Sequence, residues 1–159
     1  MGIYLNPGNR AFQESVNSKI YVDKTGLLEF TNSVIETEDK YICVSRPRRF
    51  GKSMAVKMLA AYYDRTCDSH SIFDGLKISS TGEYEKRMKC SDVICLDISW
   101  FRVNAGNAEL VVPMLQDAVI RELRERYPGC ISQEEKSLPV ALAEVNERTG
   151  ARFVIIIDE

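Results

Sequence analysis

The stretch from Tyr41 to Ser53 constrains the fold of this chain more than any other. It begins with the apolar run Tyr-Ile-Cys-Val, continues as the basic loop Ser-Arg-Pro-Arg-Arg-Phe and ends in Gly-Lys-Ser. Residues 54–64 then carry apolar side chains at the i, i+3, i+4 and i+7 spacing of a helix with one buried face. We therefore predict a buried strand over residues 41–44, a loop, and a helix from Lys52 to about Asp64, which is the order of a phosphate-binding loop.

The residues at the start of the predicted helix are the types that a nucleotide phosphate needs. A helix N-terminus presents unpaired N–H groups and a partial positive charge, which attract an anion. Gly51 lets the backbone approach a phosphate closely, Lys52 would reach the β- and γ-phosphate oxygens, and the Ser53 hydroxyl would bind Mg²⁺. The candidate nucleotide-binding residues are Arg48, Arg49, Phe50, Gly51, Lys52, Ser53 and Met54.

The loop departs from the usual Walker A pattern at its first glycine. That position is occupied by Arg46, so the loop must turn without a glycine there. Pro47 stiffens the loop, and Arg48 and Arg49 add positive charge. The two arginines either reach the γ-phosphate or are exposed loop charges.

A second motif closes the chain. The apolar run over residues 153–157 ends in Asp158 and Glu159, as in a Walker B strand. Asp158 would then support the Mg²⁺ shell, and Glu159 would orient or deprotonate the attacking water, which makes Lys52 and Glu159 the candidate catalytic residues. Either motif alone also fits an ordinary buried strand beside a loop, but their coincidence in this order favours nucleotide binding.

Composition excludes several classes of protein. The chain has 21 basic and 23 acidic residues, so its overall charge does not favour nucleic-acid binding. We find neither an apolar run of membrane-spanning length nor an N-terminal signal sequence, and therefore expect no membrane partner. The five cysteines include no Cys-x-x-Cys pair, and the single histidine argues against a zinc site, so a reducing cytoplasm fits best. We expect Cys43 and Cys95 to be buried.

The remaining elements alternate between strands and helices. We predict a second core strand over residues 93–99, with Asp97 as a cap at its end, and helices over residues 26–31, 107–127 and 138–148. This alternation indicates an α/β fold, a P-loop NTPase with a parallel sheet flanked by helices. We assign residues 1–40 to an N-terminal extension of the ATPase domain and residues 41–159 to its core.

Three segments together resemble a known family. They are Tyr-Val-Asp-Lys-Thr at 21–25, Ser-Arg-Pro-Arg-Arg-Phe-Gly-Lys-Ser at 45–53 and Ile-Phe-Asp-Gly-Leu at 72–76, and they are similar to the bacterial and archaeal AAA-ATPase-like proteins. The resemblance implies ATP as the nucleotide and a segment 21–25 near the nucleotide base. It also implies a longer protein, often with a C-terminal domain similar to PD-(D/E)XK nucleases.

The resemblance implies that this chain is an N-terminal fragment, truncated at the Walker B strand, and we expect the later strands of the sheet to be absent from it. We expect such a fragment to bind nucleotide weakly, to hydrolyse it poorly and to self-associate through open sheet edges. Two alternatives remain open. One is a nucleic-acid-binding module that uses Arg46, Arg48 and Arg49, and nucleic acid is otherwise expected only as a partner of the full-length protein. The other is a P-loop kinase acting on a small molecule.

Overall fold

The computed structural model describes residues 2–47 and 49–158, and these fall into two units. The loop-containing unit is Gly8–Cys90, and the sheet-containing unit combines Met1–Pro7 with Ser91–Glu159. Arg48 and Glu159, both predicted site residues, lie outside the described residues.

The loop-containing unit is built from helices. Its α-helices are α1 (Arg10–Val16), α2 (Gly26–Val34), α3 (Lys52–Tyr63), α4 (His70–Phe73) and α5 (Tyr84–Arg87), with short 3-10 helices at Glu38–Lys40 and Lys77–Ser80. The predicted helix at residues 26–31 is confirmed and extends to Val34. The predicted helix of the phosphate-binding loop is confirmed as α3.

Aromatic side chains form the centre of the loop-containing unit. Phe12 of α1 stacks on Phe73 of α4 with ring centroids 5.0 Å apart, and Tyr62 of α3 meets Phe73 edge-on at 5.4 Å. All three side chains are fully buried. Packing of this kind contributes beyond the area that it buries, so α1, α3 and α4 are fixed to one another through these rings.

The buried tyrosines of α3 keep their hydroxyls within a hydrogen-bonded network. Tyr63 donates to the Asn32 side-chain oxygen at 2.7 Å and is 2.7 Å from the Thr31 hydroxyl. The Asn32 amide donates to the Tyr62 hydroxyl at 2.9 Å, which in turn donates to the Tyr84 carbonyl at 2.9 Å. Each polar atom named here has a partner, as burial requires. The network joins α2, α3 and α5.

The sheet-containing unit is an α/β structure with a two-stranded parallel sheet among its described residues. Its elements are β1 (Asp92–Asp97), α6 (Ile98–Ala105), α7 (Ala108–Arg126), α8 (Leu138–Thr149) and β2 (Phe153–Asp158). The strands pair from Asp92 with Phe153 to Asp97 with Asp158. The predicted strand at the chain end and the two predicted long helices are confirmed.

The core of the sheet-containing unit lies between its strands and helices. Val119 and Leu123 of α7 are buried, together with Val145 of α8 and Ile94 of β1. Pro113 lies inside α7 beyond its first turn. The backbone there is exposed, so the carbonyl that loses a helical hydrogen bond can be solvated.

Hydrogen bonds of the buried Asn6 and Asp92 side chains join the N-terminal segment to β1. The Asn6 amide donates to Asp92 at 2.6 Å, and Asn6 exchanges two further hydrogen bonds with the Val93 backbone, each 2.7 Å long. The Tyr127 hydroxyl donates to the other Asp92 oxygen at 2.5 Å. From α7, the Glu122 carboxylate accepts the backbone N–H groups of residues 3–5 at 2.7–3.0 Å.

Two sequence predictions are wrong, namely the strand over residues 41–44 and the burial of Cys43. No strand is assigned over Tyr41–Val44, and Tyr41, Val44 and Cys43 are exposed. A strand needs a neighbour for its backbone groups, and the sheet of the described chain pairs β1 with β2. The second predicted strand, over residues 93–99, is confirmed as β1, but it ends at Asp97 because Ile98 begins helix α6.

The Asp97 cap is confirmed, since its carboxylate accepts the Trp100 N–H at 2.9 Å. The expected burial of Cys95 is partial. No helix within residues 2–47 and 49–158 combines the length and apolar character needed to cross a membrane.

Candidate phosphate-binding loop

The backbone of the loop makes its turns at Arg49 and Gly51. Their φ angles are +69° and +81°, in the left-handed region. Arg46, which replaces the first glycine of the usual motif, does not have a positive φ. The loop therefore needs no glycine at position 46. The left-handed conformation costs a non-glycine residue roughly 1–2 kcal/mol, so Arg49 stores strain within this loop.

Helix α3 begins immediately after Gly51. The first intrahelical hydrogen bond runs from the Ala55 N–H to the Gly51 carbonyl at 3.0 Å. The N–H groups of Lys52, Ser53 and Met54 therefore precede the first hydrogen bond of the helix. The Ser53 side chain is exposed at this end, and Lys52 is half-buried. This set of backbone donors and a cation fits an anion, and the hydroxyl of Ser53 fits a hard metal ion such as Mg²⁺.

A lysine from outside the loop contacts it directly. The Lys24 ammonium donates to the Phe50 carbonyl at 2.6 Å. A Cβ added to Gly51 would lie 2.6 Å from the same nitrogen, so the ammonium occupies the space beside the glycine. The two residues in contact are 26 positions apart. Helical or strand periodicity does not predict a contact at this separation, so the sequence alone does not reveal it.

The residues on either side of Lys24 are hydrogen-bonded to each other and to the backbone of residues 77–78. The Asp23 carboxylate accepts the N–H and the hydroxyl of Thr25 at 2.8 and 2.7 Å, and its other oxygen accepts the Lys77 N–H at 2.8 Å. Thr25 is buried and accepts the Ile78 N–H at 3.1 Å. Burial acts to raise the pKa of Asp23, but the hydrogen bonds from Lys77 and Thr25 outweigh it and leave that pKa below its ordinary value. We name Asp23, Thr25, Lys77 and Ile78 the Asp23 clasp.

The predicted metal-supporting carboxylate lies at the end of β2. Asp158 is the last residue of that strand and stands in register with Asp97 at the end of β1. It belongs to the sheet-containing unit, whereas Lys52 and Ser53 belong to the loop-containing unit. In the described part of the chain, no three His, Cys, Asp or Glu side chains are grouped to hold a metal ion.

Phe50 and Arg49 complete the described part of the candidate site. Both are exposed beside the start of α3, and the Phe50 ring has 60% of its surface accessible. The structure thus places the described binding candidates, residues 49–54, consecutively around one helix N-terminus.

Comparison with known proteins gives a family match over almost the whole chain. A family model described as "Predicted AAA-ATPase" matches residues 8–159. A curated relative, "Uncharacterized protein in vnfD 5'region" of Azotobacter chroococcum mcd 1, is 26% identical over 152 residues, covering 87% of this chain and 25% of that protein. The chain therefore spans about a quarter of that relative's length. No solved structure matches the chain.

Proposed function

Since the chain belongs to the AAA-ATPase-like family of predicted AAA-ATPases, we propose that its Gly51-Lys52-Ser53 loop binds the phosphates of Mg-ATP. In this proposal residues 41–159 are the core of a P-loop NTPase, and residues 1–40 are its N-terminal extension. ATP hydrolysis is a property that we propose for the whole protein, acting in the cytoplasm. The chain would supply the nucleotide-binding part of that reaction.

One observation carries the proposal. Three consecutive backbone N–H groups, from Lys52 to Met54, precede the first hydrogen bond of a helix of 12 residues, and the left-handed Gly51 directs the chain into that helix. The aligned peptide dipoles of such a helix place a partial positive charge at this end. A polyphosphate satisfies these donors and the charge at once.

The proposed roles follow from the chemistry of each side chain. The Lys52 ammonium would contact the β- and γ-phosphate oxygens, and the Ser53 hydroxyl would bind Mg²⁺. Asp158 would support the metal shell through water or directly, and Glu159 would orient the attacking water in the whole protein. Mg²⁺ retains several waters and takes substrate phosphates as ligands, so a dedicated cage of carboxylates is not required.

Thermal melting with and without Mg-ATP tests the proposal. At a nucleotide concentration of about 100 times Kd, binding raises the free energy of unfolding by roughly 2.7 kcal/mol, which corresponds to several degrees in Tm. Lys52→Ala should abolish this gain. Lys57→Ala is the matched control, because Lys57 is an exposed lysine on the same helix. An unchanged Tm of the parent chain in Mg-ATP, or an equal gain in Lys52→Ala, would contradict the proposal.

A further inference from the structure

We propose that Lys24 is a second phosphate-binding lysine of the loop, which contacts a nucleotide phosphate while it remains bonded to the Phe50 carbonyl. This inference rests on the proposed function, since it assigns one more residue to the same site. The relevant ligand is a nucleotide carrying a polyphosphate. The function of the loop itself is proposed without Lys24, from Gly51, Lys52 and Ser53.

The Lys24 ammonium lies directly against the loop. Its nitrogen lies 2.6 Å from the Phe50 carbonyl oxygen and beside Gly51, the residue that precedes α3. A lysine ammonium has three N–H donors. In the described part of the chain, the Phe50 carbonyl is the hydrogen-bond acceptor of Lys24. Two donors therefore remain for a ligand placed at the helix N-terminus.

The residues that flank Lys24 are fixed by hydrogen bonds. The flanking residues Asp23 and Thr25 are fixed by the hydrogen bonds of the Asp23 clasp to the backbone of Lys77 and Ile78. The Asp23 carboxylate is thereby engaged with backbone and hydroxyl donors. Holding a long side chain in one place costs conformational entropy. The hydrogen bonds of the Asp23 clasp and the bond to Phe50 already restrict this segment in the free protein. Less conformational entropy is therefore lost when a ligand binds, which favours binding.

Gly51 has no side chain that would compete with Lys24 for space. Its left-handed φ of +81° already favours glycine. In addition, a Cβ at this position would come within 2.6 Å of the Lys24 nitrogen and displace it. The glycine therefore leaves room for an ammonium as well as for a phosphate. The Lys24 ammonium then lies beside the start of α3, where Lys52 is the first helical residue.

Binding of Mg-ATP to Lys24→Gln at several salt concentrations tests the inference. Glutamine keeps an amide donor for the Phe50 carbonyl but removes the charge. Loss of one charge-assisted hydrogen bond should weaken ATP binding about tenfold at low salt. The difference from the parent should shrink as salt screens the lost charge. Lys24→Arg should restore most of the affinity, and Lys19→Gln, at an exposed lysine, should bind like the parent.

The outcomes separate the two proposals. If Lys24→Gln binds ATP as the parent does at every salt concentration, Lys24 does not touch the ligand, and the inference is overturned while the proposed function stands. A loss of equal size at all salt concentrations would mean that Lys24 merely holds the loop, and this also overturns the inference. If the parent itself does not bind Mg-ATP, both proposals fail. Melting without nucleotide checks that each variant is folded.

Discussion

The Asn6 amide donates a hydrogen bond of 2.6 Å to the Asp92 carboxylate, and both side chains are buried. Asn6 has a left-handed φ of +54° and also bonds the backbone of Val93. We expect Asn6→Ala to lower the free energy of unfolding by about 3 kcal/mol, because it leaves buried partners unsatisfied and places alanine at a positive φ.

Chemical denaturation of Asn6→Ala beside Asn104→Ala measures this cost. Asn104 is exposed and makes one side-chain hydrogen bond, to the Trp100 carbonyl. Its replacement should cost about 1 kcal/mol or less. Equal losses in the two variants would show that the buried pair contributes nothing special to the sheet-containing unit.

The Tyr63 hydroxyl should contribute about 1–3 kcal/mol to stability, because Tyr63→Phe leaves the buried Asn32 oxygen without that donor. Tyr41→Phe is the control, since the Tyr41 ring is 86% exposed. Urea unfolding of both variants gives the two values. A Tyr63→Phe variant as stable as the parent would mean that water or the Thr31 hydroxyl replaces the lost bond.

Stability should fall as pH rises through the titration of His70. Hydrogen bonds to Asp68 at 2.5 Å and to Glu85 at 3.0 Å raise the pKa of His70. The folded chain therefore keeps the proton where the unfolded chain loses it. The resulting stabilisation is complete below about pH 6.5, the ordinary pKa of histidine, and disappears as pH rises through the folded-state pKa.

An NMR titration of the single histidine and melting between pH 5.5 and 8.5 test this dependence. The Lys89 ammonium, 3.8 Å from Asp68, opposes the protonation of His70. The Tyr84 ring packs edge-on to the imidazole. His70→Gln should flatten the pH profile of Tm. A histidine pKa at or below its ordinary value would refute the prediction.

Gly51→Ala and Gly106→Ala separate backbone strain from a local effect on the loop. Both glycines have left-handed φ angles, +81° and +69°, so each alanine should cost about 1 kcal/mol or somewhat more. Only the Cβ at Gly51 meets Lys24, since a Cβ at Gly106 has no atom within 4 Å. Stability measured by urea unfolding should therefore fall similarly in both, whereas Mg-ATP binding should fall in Gly51→Ala alone. Reduced binding in Gly106→Ala would remove the specificity of this effect.

Local patterns predicted four of the helices, α2, α3, α7 and α8, and strand β2. Helix α3 follows from its apolar spacing and from Gly51, and β2 from an unbroken apolar run. The run at Tyr41–Val44 has the same local character, but a strand forms only where another strand supplies backbone partners, and its own residues do not encode that neighbour. Helix α6 was missed because its first residue, Ile98, continues the apolar pattern of β1.

The candidate loop was predictable only in part. Residue types suited to phosphate, in their order along the chain, predict Gly51 to Ser53 as the candidate residues, and the structure places these three residues at the start of α3. Lys24 was not identified as a contact of the loop, since it meets Phe50 through a fold that brings distant segments together. The turn at Arg49 was equally hidden, because a positive φ on arginine has no sequence signature.

The long-range hydrogen bonds of residues 3–6 can form only late in synthesis. The Leu5 N–H donates to Glu122, which is 117 residues later in the chain, and the Asn6 amide donates to Asp92, which is 86 residues later. At a translation rate of about 5–20 residues per second, Glu122 is made about 6 to 23 s after Leu5. Gly8–Cys90 is continuous in the chain and is synthesised before this closure. Residues 3–5 therefore remain without the Glu122 carboxylate while Gly8–Cys90 is already complete.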